Sequence, residues 1–418
     1  MSTIVIKGGT MIDGTGKPPV ENAVVVVEDD KIAAVGRANE VKVPEGEKVK
    51  VIDASGKTVM PGLIDSHVHI YTDGEAGDEF TSMFLKNNPL SLTLRCIPRL
   101  KKTLEMGITS LKDGGCGWNW LEVALRDALN RGDIVGPRYF AAGYHLTVTG
   151  GHGYFLPPWL ANIPIHPEQS TVHVDGPDQW RKMARMNIYN GTDFIKLVAS
   201  RDVISPGIAT AAQATLEELT AAAEEAHKMG KKVMIHAQGP VAIKNAIKAG
   251  ADIIVHGFFM DEECAEMMVE NNVILEGTNW YVRVIAEKGA GRVPDWQLEK
   301  AIQTWEFRKK NFKMLMEKGV KMSFGSDAGC PFIRQGYDNF NELRMFVELG
   351  MTPMQALVAG TKTAAEAIGI EDKTGTLESG KFADILLIDG DPLKDISILG
   401  QEEKIKMVMK EGEIVVTR

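Results

Sequence analysis

Cysteine is scarce in this 418-residue chain: the four present, Cys96, Cys116, Cys264 and Cys330, include no Cys-x-x-Cys pair. That excludes a zinc knuckle and a disulfide framework, and the four read as reduced thiols. No stretch approaches the ~20 consecutive apolar residues of a membrane span, and no basic region leads into an apolar core with a small-residue cleavage site. A cytoplasmic location without a membrane partner is therefore expected. Positive charge is in deficit, with 47 Lys+Arg against 56 Asp+Glu and a net charge of -9, so nothing electrostatic invites nucleic acid. Short basic clusters such as Arg308-Lys309-Lys310 read as solvated helix faces. The glycine pairs at 8–9, 114–115 and 150–151 do not build a Gly-x-Gly-x-x-Gly turn opening a helix, which removes the support for nucleotide binding. Low-complexity tracts are missing too. What remains, 44% hydrophobic and 25% charged residues, is the composition of a globular protein with material for a sizeable core.

The two ends share one character. Ile4-Val5-Ile6, Ala23-Val24-Val25-Val26-Val27 and Lys31-Ile32-Ala33-Ala34-Val35 are β-branched runs set off by Gly, Pro, Asn and Asp, and similar runs return after Ala383. They predict a small β-sandwich domain built from both termini, residues 1–58 and 372–418. Between them, short apolar strands alternate with longer helical patterns, the signature of βα units on a parallel sheet. Eight strands can be read, at 63–70, 109–114, 138–146, 193–199, 232–237, 252–257, 273–277 and 321–327. Helical stretches at 216–229, 241–249 and 296–317 are each closed by a glycine. The class is α/β, and eight such units predict a closed (β/α)8 TIM-like barrel over residues 59–371. The connection 147–177 is long and rich in Gly, Pro and His, which makes it a candidate lid.

In a barrel of this kind chemistry sits at the C-terminal ends of strands. Pro61-Gly62-Leu63-Ile64-Asp65-Ser66-His67-Val68-His69-Ile70 places two imidazoles on one face of the first strand. An isolated His-x-His pair is as compatible with core packing as with a metal. Lys196, His236, His256 and Asp327 stand at further strand ends, each against an apolar run, so five of eight strands carry ligand-type groups. Buried polar groups are costly unless paired or metal-bound, and their recurrence favours a metal site. Lys196 offers a dication no lone pair while protonated. It can form an ion pair with Asp193 or Asp327, or its neutral amine can take up carbon dioxide to give an anionic carbamate able to bridge two metals.

This set of residues resembles the amidohydrolase superfamily over nearly the whole chain. The likeness rests on the strand-one motif, on Lys196, His236, His256 and Asp327, and on Gly375-Thr376-Leu377-Glu378-Ser379-Gly380-Lys381-Phe382-Ala383-Asp384 entering the small β domain. The resemblance implies two divalent metal ions, usually zinc. His67, His69, N6-carboxylated Lys196 and Asp327 would hold one, and Lys196, His236 and His256 the other. Mononuclear deaminases of the family carry a glutamate shortly after the strand-five histidine, where this chain has Ala237-Gln238-Gly239.

The segment 143–153, Gly-Tyr-His-Leu-Thr-Val-Thr-Gly-Gly-His-Gly, is similar to that of imidazolonepropionase-related and prolidase-like members, which cleave Xaa-Pro dipeptides, other N-acyl amino acids or related amides. The resemblance places His145 at the substrate carbonyl or carboxylate, with His152 a second contact or a residue bonded within the loop. Gln238 departs from many prolidase-like members, which carry a second histidine there, and leaves a proline preference open. The implied reaction is amide C–N hydrolysis by a metal-bridging hydroxide, with Asp327 passing the proton to the leaving amine. Tyr281 and Arg283, after strand seven, are candidates for holding a small-molecule substrate's carboxylate, with Arg334 the second choice. A homo-oligomer is expected by family analogy. Two alternatives stand beside the dipeptidase: a hydrolase of a cyclic or xenobiotic amide or ester, and a non-catalytic metal-stabilised scaffold.

Overall fold

The β-branched runs at the N-terminus pair into a sheet because alternate side chains can then share one buried face. In the computed structural model, which describes residues 3–74, 87–115, 118–153 and 171–418, these strands are Thr3–Met11 (β1), Val20–Glu28 (β2), Lys31–Arg37 (β3), Val49–Asp53 (β4) and Thr58–Pro61 (β5). β1 pairs antiparallel with β2 and parallel with both β4 and β5, its register slipping around Gly9 so that its two halves meet different partners.

The barrel strands follow: Leu63–Val68 (β6), Ile108–Asp113 (β7), Arg138–Ala141 (β8), His145–Thr147 (β9), Thr171–His173 (β10), Ile195–Val198 (β11), Val233–Ala237 (β12), Ile253–His256 (β13), Ile274–Glu276 (β14) and Met322–Ser323 (β15). They form two all-parallel ladders, β6-β7-β8 and β10-β9-β11-β12-β13-β14-β15. Hydrogen bonds close the ring. Ser66 N donates to Phe324 O (2.8 Å) and Asp327 N to His67 O (2.8 Å), while Asp193 N donates to Ala141 O (2.8 Å) on the other side. Strand three, expected to be continuous over 138–146, is split into β8 and β9. Gly143 turns the chain there at φ +72°, and a Cβ on it would come within 2.6 Å of Thr192. β10 was not anticipated: it lies in the long connection and pairs with β9. Of the candidate lid, residues 154–170, including His166, lie outside the described residues.

The helices between strands obey local rules. Leu216–Lys228 opens on a capping box between Thr215 and Glu218 and buries Leu219, Ala222, Ala223 and Ala226 against the barrel. Leu216–Lys228, Pro240–Lys248 and Asp295–Glu317 are each followed within two residues by a glycine at positive φ (Gly230, Gly250, Gly319), the expected stop. Among the described residues no helix is long and apolar enough to cross a membrane.

After the barrel, Ile385–Ile388 (β16), Ile405–Lys410 (β17) and Glu413–Thr417 (β18) rejoin the first sheet, giving the order β18-β17-β16-β5-β1-β2-β3 with β4 on β1. Ile4, Ile6, Val25 and Val27 of the N-terminal half share one apolar cluster with Ile385, Leu387, Met407 and Met409 of the C-terminal half. The sheet thus faces itself across a core supplied by both ends of the chain.

Candidate metal centre

Because every barrel strand runs the same way, their C-terminal side chains converge at one end. A cavity opens there, lined by His67, His69, His145, Lys196, His236, His256 and Asp327 among others. The two-residue period of β6, carried one residue past its end, sets His67 and His69 side by side, ring centroids 5.2 Å apart. Gly325 makes room for them: a Cβ there would lie 2.8 Å from that of His67.

Each ring has one nitrogen tied down. His67 Nδ1 is 3.1 Å from Glu276 Oε2 and His69 Nδ1 is 3.0 Å from Gly115 O, which turns both Nε2 atoms toward Asp327 Oδ1, at 3.4 Å each. That oxygen is buried and has no hydrogen-bond partner. Tetrahedral bonds of ~2.0–2.1 Å set neighbouring ligand atoms roughly 3.3 Å apart, so these three donors fit one cation of the zinc type. Across the cavity, the rings of His236 and His256 lie 4.6 Å apart. His256 Nδ1 is held by Thr278 Oγ1 (2.7 Å) and His236 Nε2 faces Arg201 O (3.2 Å). Asp327, His256 and Thr278 have positive φ (57°, 71° and 46°), conformations that non-glycine residues keep only where surrounding packing enforces them.

Burial governs the protonation states. It pushes Asp327 up, but the His67 and His69 rings outweigh it and hold the carboxyl well below its ordinary range. Desolvation lowers His256 to about 3 and keeps His145 and His236 well below the usual imidazole value. Neutral imidazoles are what a metal requires. Lys196, on β11, is brought down to about 8 by burial, against the pull of Glu276 and Asp327. Of its two expected ion-pair partners, Asp193 is engaged by Arg126 at 2.9 Å, and among the described residues Lys196 makes no ion pair with Asp327.

Of the expected substrate contacts, His145, His152 and Tyr281 line the cavity. His145 Nε2 bonds to Gly114 O, so the neutral ring keeps an acceptor at Nδ1 rather than a donor. His152 stacks on His236 at 4.5 Å with Nδ1 2.5 Å from Ser205 Oγ. Arg283 is a correction: it does not line the cavity, but pairs with Glu287 at 2.6 Å and stacks over Trp305. Tyr281-Val282-Arg283 belongs to the helix Asn279–Lys288, where two residues amount to roughly 200° of rotation, so Tyr281 facing inward turns Arg283 outward. Arg334 likewise pairs with Asp338 (2.9 Å) away from the cavity.

Three buried groups were not anticipated. Glu276, on β14, joins His67 to Lys112 of β7, whose Nζ is 2.5 Å from Glu276 Oε1. Glu276 ends the apolar run Val273-Ile274-Leu275, the same signal that singled out Lys196, whereas Lys112 follows Ile108-Thr109-Ser110-Leu111. Asp202, in the loop after β11, lines the cavity and groups with His152 and His236. No periodic pattern surrounds it.

With this geometry in view, the chain matches the amidohydrolase family model over residues 58–415. It is 31% identical to the ochratoxinase of Aspergillus niger, a match covering 98% of this chain and 86% of that protein. It is 25% identical to an imidazolonepropionase of Shouchella clausii, covering 95% of this chain and 86% of the relative. Among solved structures, a Xaa-Pro dipeptidase with methionine bound in its active site superposes with a TM-score of 0.87 at 31% identity, covering 99% of both chains.

Proposed function

This chain belongs to the amidohydrolase family and is a hydrolase, and on that premise we propose that it cleaves the C–N bond of an amide in a dipeptide, Xaa-Pro or similar, or in an N-acyl amino acid. The observation that carries the reading is the orphan oxygen of Asp327, buried 3.4 Å from two imidazole nitrogens that are oriented from behind. In this proposal two divalent cations, zinc by the nitrogen and oxygen donor set, would be held by His67, His69 and Asp327 and by His236 and His256, with carboxylated Lys196 as a further ligand. When bound, the cations supply Lewis acidity, acidifying water toward neutrality and polarising the scissile carbonyl.

The chain's own residues do the rest. Asp327, ionised, accepts the proton of the attacking water and delivers it to the leaving nitrogen. Neutral His145, with only Nδ1 left as an acceptor, suits a hydrogen-bond donor on the substrate better than its carbonyl. Tyr281 and His152 line the same cavity as His67 and His69. A homo-oligomeric, cytoplasmic enzyme belongs to the same proposal.

The Aspergillus niger relative is named for ochratoxin, which supports a second reading in which the substrate is a cyclic or xenobiotic amide or ester. Metal analysis combined with a panel of Xaa-Pro, Xaa-hydrophobic and Xaa-Arg dipeptides, N-acyl amino acids, lactams and aryl amides decides between them. Turnover of dipeptides or N-acyl amino acids above all others supports the first reading; faster cleavage of lactams or aryl amides replaces it with the second.

A further inference from the structure

Asp202 brings a negative charge into a wall where a carboxylate-binding cation was expected. It is 1% exposed and lines the cavity. Its Oδ1 accepts from Tyr281 Oη (2.5 Å) and Ile204 N (3.0 Å), and its Oδ2 from Gln238 Nε2 (2.5 Å). These donors come from a helix, from the Asp202 loop itself and from the segment just after β12, so the corner is built from three parts of the barrel rim. All three are neutral. Among the described residues no lysine or arginine pairs with Asp202; three histidines stand around it, His236 with Nε2 at 3.7 Å, His256 with Nε2 at 3.9 Å, and His152, which groups with it and His236. The other end of the same amide, Gln238 Oε1, is a buried acceptor without a partner. The corner is therefore rich in acceptors, holds an anion, and has no cation of its own among the described residues.

We propose that Asp202 is a specificity-determining residue that receives a substrate ammonium beside the scissile bond. The distance sets which ammonium. Asp202 lies within 4 Å of two of the imidazoles assigned to the cations that polarise the scissile carbonyl. A group bound to it sits close to that carbonyl, which is where a dipeptide carries its α-ammonium. An ammonium so close to two dications is repelled unless a carboxylate stands beside it, and Asp202 is that carboxylate. Direct ligation of a cation by Asp202 fits less well. Its separations from the His236 and His256 nitrogens, 3.7 and 3.9 Å, exceed the roughly 3.3 Å of neighbouring tetrahedral ligands. This inference rests on the amide-hydrolase reading and chooses within it: the substrate is a dipeptide with a free amino terminus rather than an N-acyl amino acid.

The test uses the full metal-loaded chain and matched substrates, alanyl-X against propionyl-X, which differ by the ammonium alone, with X taken from the dipeptide screen. Turnover and calorimetric affinity are measured for both, and metal content is measured for Asp202→Asn. The wild type should favour the alanyl member by on the order of 30-fold in kcat/KM and in affinity, the scale of a hydrogen-bonded charge pair. In Asp202→Asn the ratio should collapse to within about threefold with metal content unchanged. A wild-type ratio near one overturns the proposal, whether or not the variant folds, and so does loss of metal from the variant, which would make Asp202 a ligand. If neither compound is hydrolysed but the alanyl member still binds more tightly, the amide-hydrolase reading falls and the role of Asp202 stands.

Discussion

Glu276 bonds His67 through one carboxylate oxygen and Lys112 through the other, with Oε2 3.1 Å from His67 Nδ1 and Oε1 2.5 Å from Lys112 Nζ. The acceptor fixes the proton on Nδ1 and leaves Nε2 for a cation. Burial pushes the Glu276 carboxyl up, but Lys112 and His67 outweigh it and keep it ionised. Glu276→Gln is expected to weaken metal binding about 10–100-fold, measured by competition with a chelator. It also strands Lys112, which should lower unfolding stability by ~3–5 kcal/mol in denaturant titrations. Adding Lys112→Met should recover much of that stability but none of the affinity. Undiminished affinity in the single variant would remove Glu276 from the centre.

Lys196 can serve as a bridge only as a carbamate, because its ammonium would repel the cations. Lys196→Ala should cut bound metal by about half or more in elemental analysis of the purified chain. Unchanged stoichiometry refutes a bridging role.

Asp327 is assigned the proton transfer. Asp327→Asn keeps an oxygen donor but cannot accept the proton, so it should retain metal while kcat falls by about 10²–10⁴. Turnover close to that of the parent would sink the assignment.

Arg283 points away from the cavity and is satisfied by Glu287 and Trp305. Arg283→Ala should change kcat/KM by less than about threefold, as expected for an ion pair at the surface. A loss near 100-fold would return this residue to the substrate.

Acid stability should depend on Glu225, which ties its helix Leu216–Lys228 to Pro177–Tyr189 through Arg185 (2.9 Å) and Arg181 (3.0 Å) and pairs with Lys228 of its own helix (2.9 Å). Hydrogen bonds from Arg185 and then Lys228 lower its carboxyl from 4.5 to about 2. A depressed folded-state value means the stabilisation is fully present above the unfolded value and is lost as pH falls from 4.5 toward 2. Thermal unfolding across that window should show a Tm gap between the parent and Glu225→Gln that is constant at higher pH and closes at the acid end. A gap that does not narrow would show that Glu225 is not the group titrating.

What could be read without coordinates followed from the cost of burying polar groups. His67, His69, Lys196, His236, His256 and Asp327 stood out because each interrupts an apolar strand, and the barrel brings all six to one cavity. Glu276 obeys the same rule, since it ends the apolar run Val273-Ile274-Leu275, while Lys112 is hidden by the Thr109 and Ser110 that break the run before it. Asp202 could not be found this way, since Ser200-Arg201-Asp202-Val203 is loop and carries no period to violate. Arg283 was misplaced because a helix rotates its residues by ~100° each, whereas an extended chain would have kept it beside Tyr281.

The sequence by itself determined the alternation of strands and helices, the order of the eight barrel strands and the ligand-type side chains at their ends, because periodicity and burial cost act locally along the chain. Only the tertiary structure decided which nitrogen of each histidine is tied down, that Glu276 stands behind His67, and that the cavity wall carries the anion Asp202 in place of an arginine. Those relationships join residues far apart in the chain across the closed barrel, and their distances exist only once the ring of strands has closed.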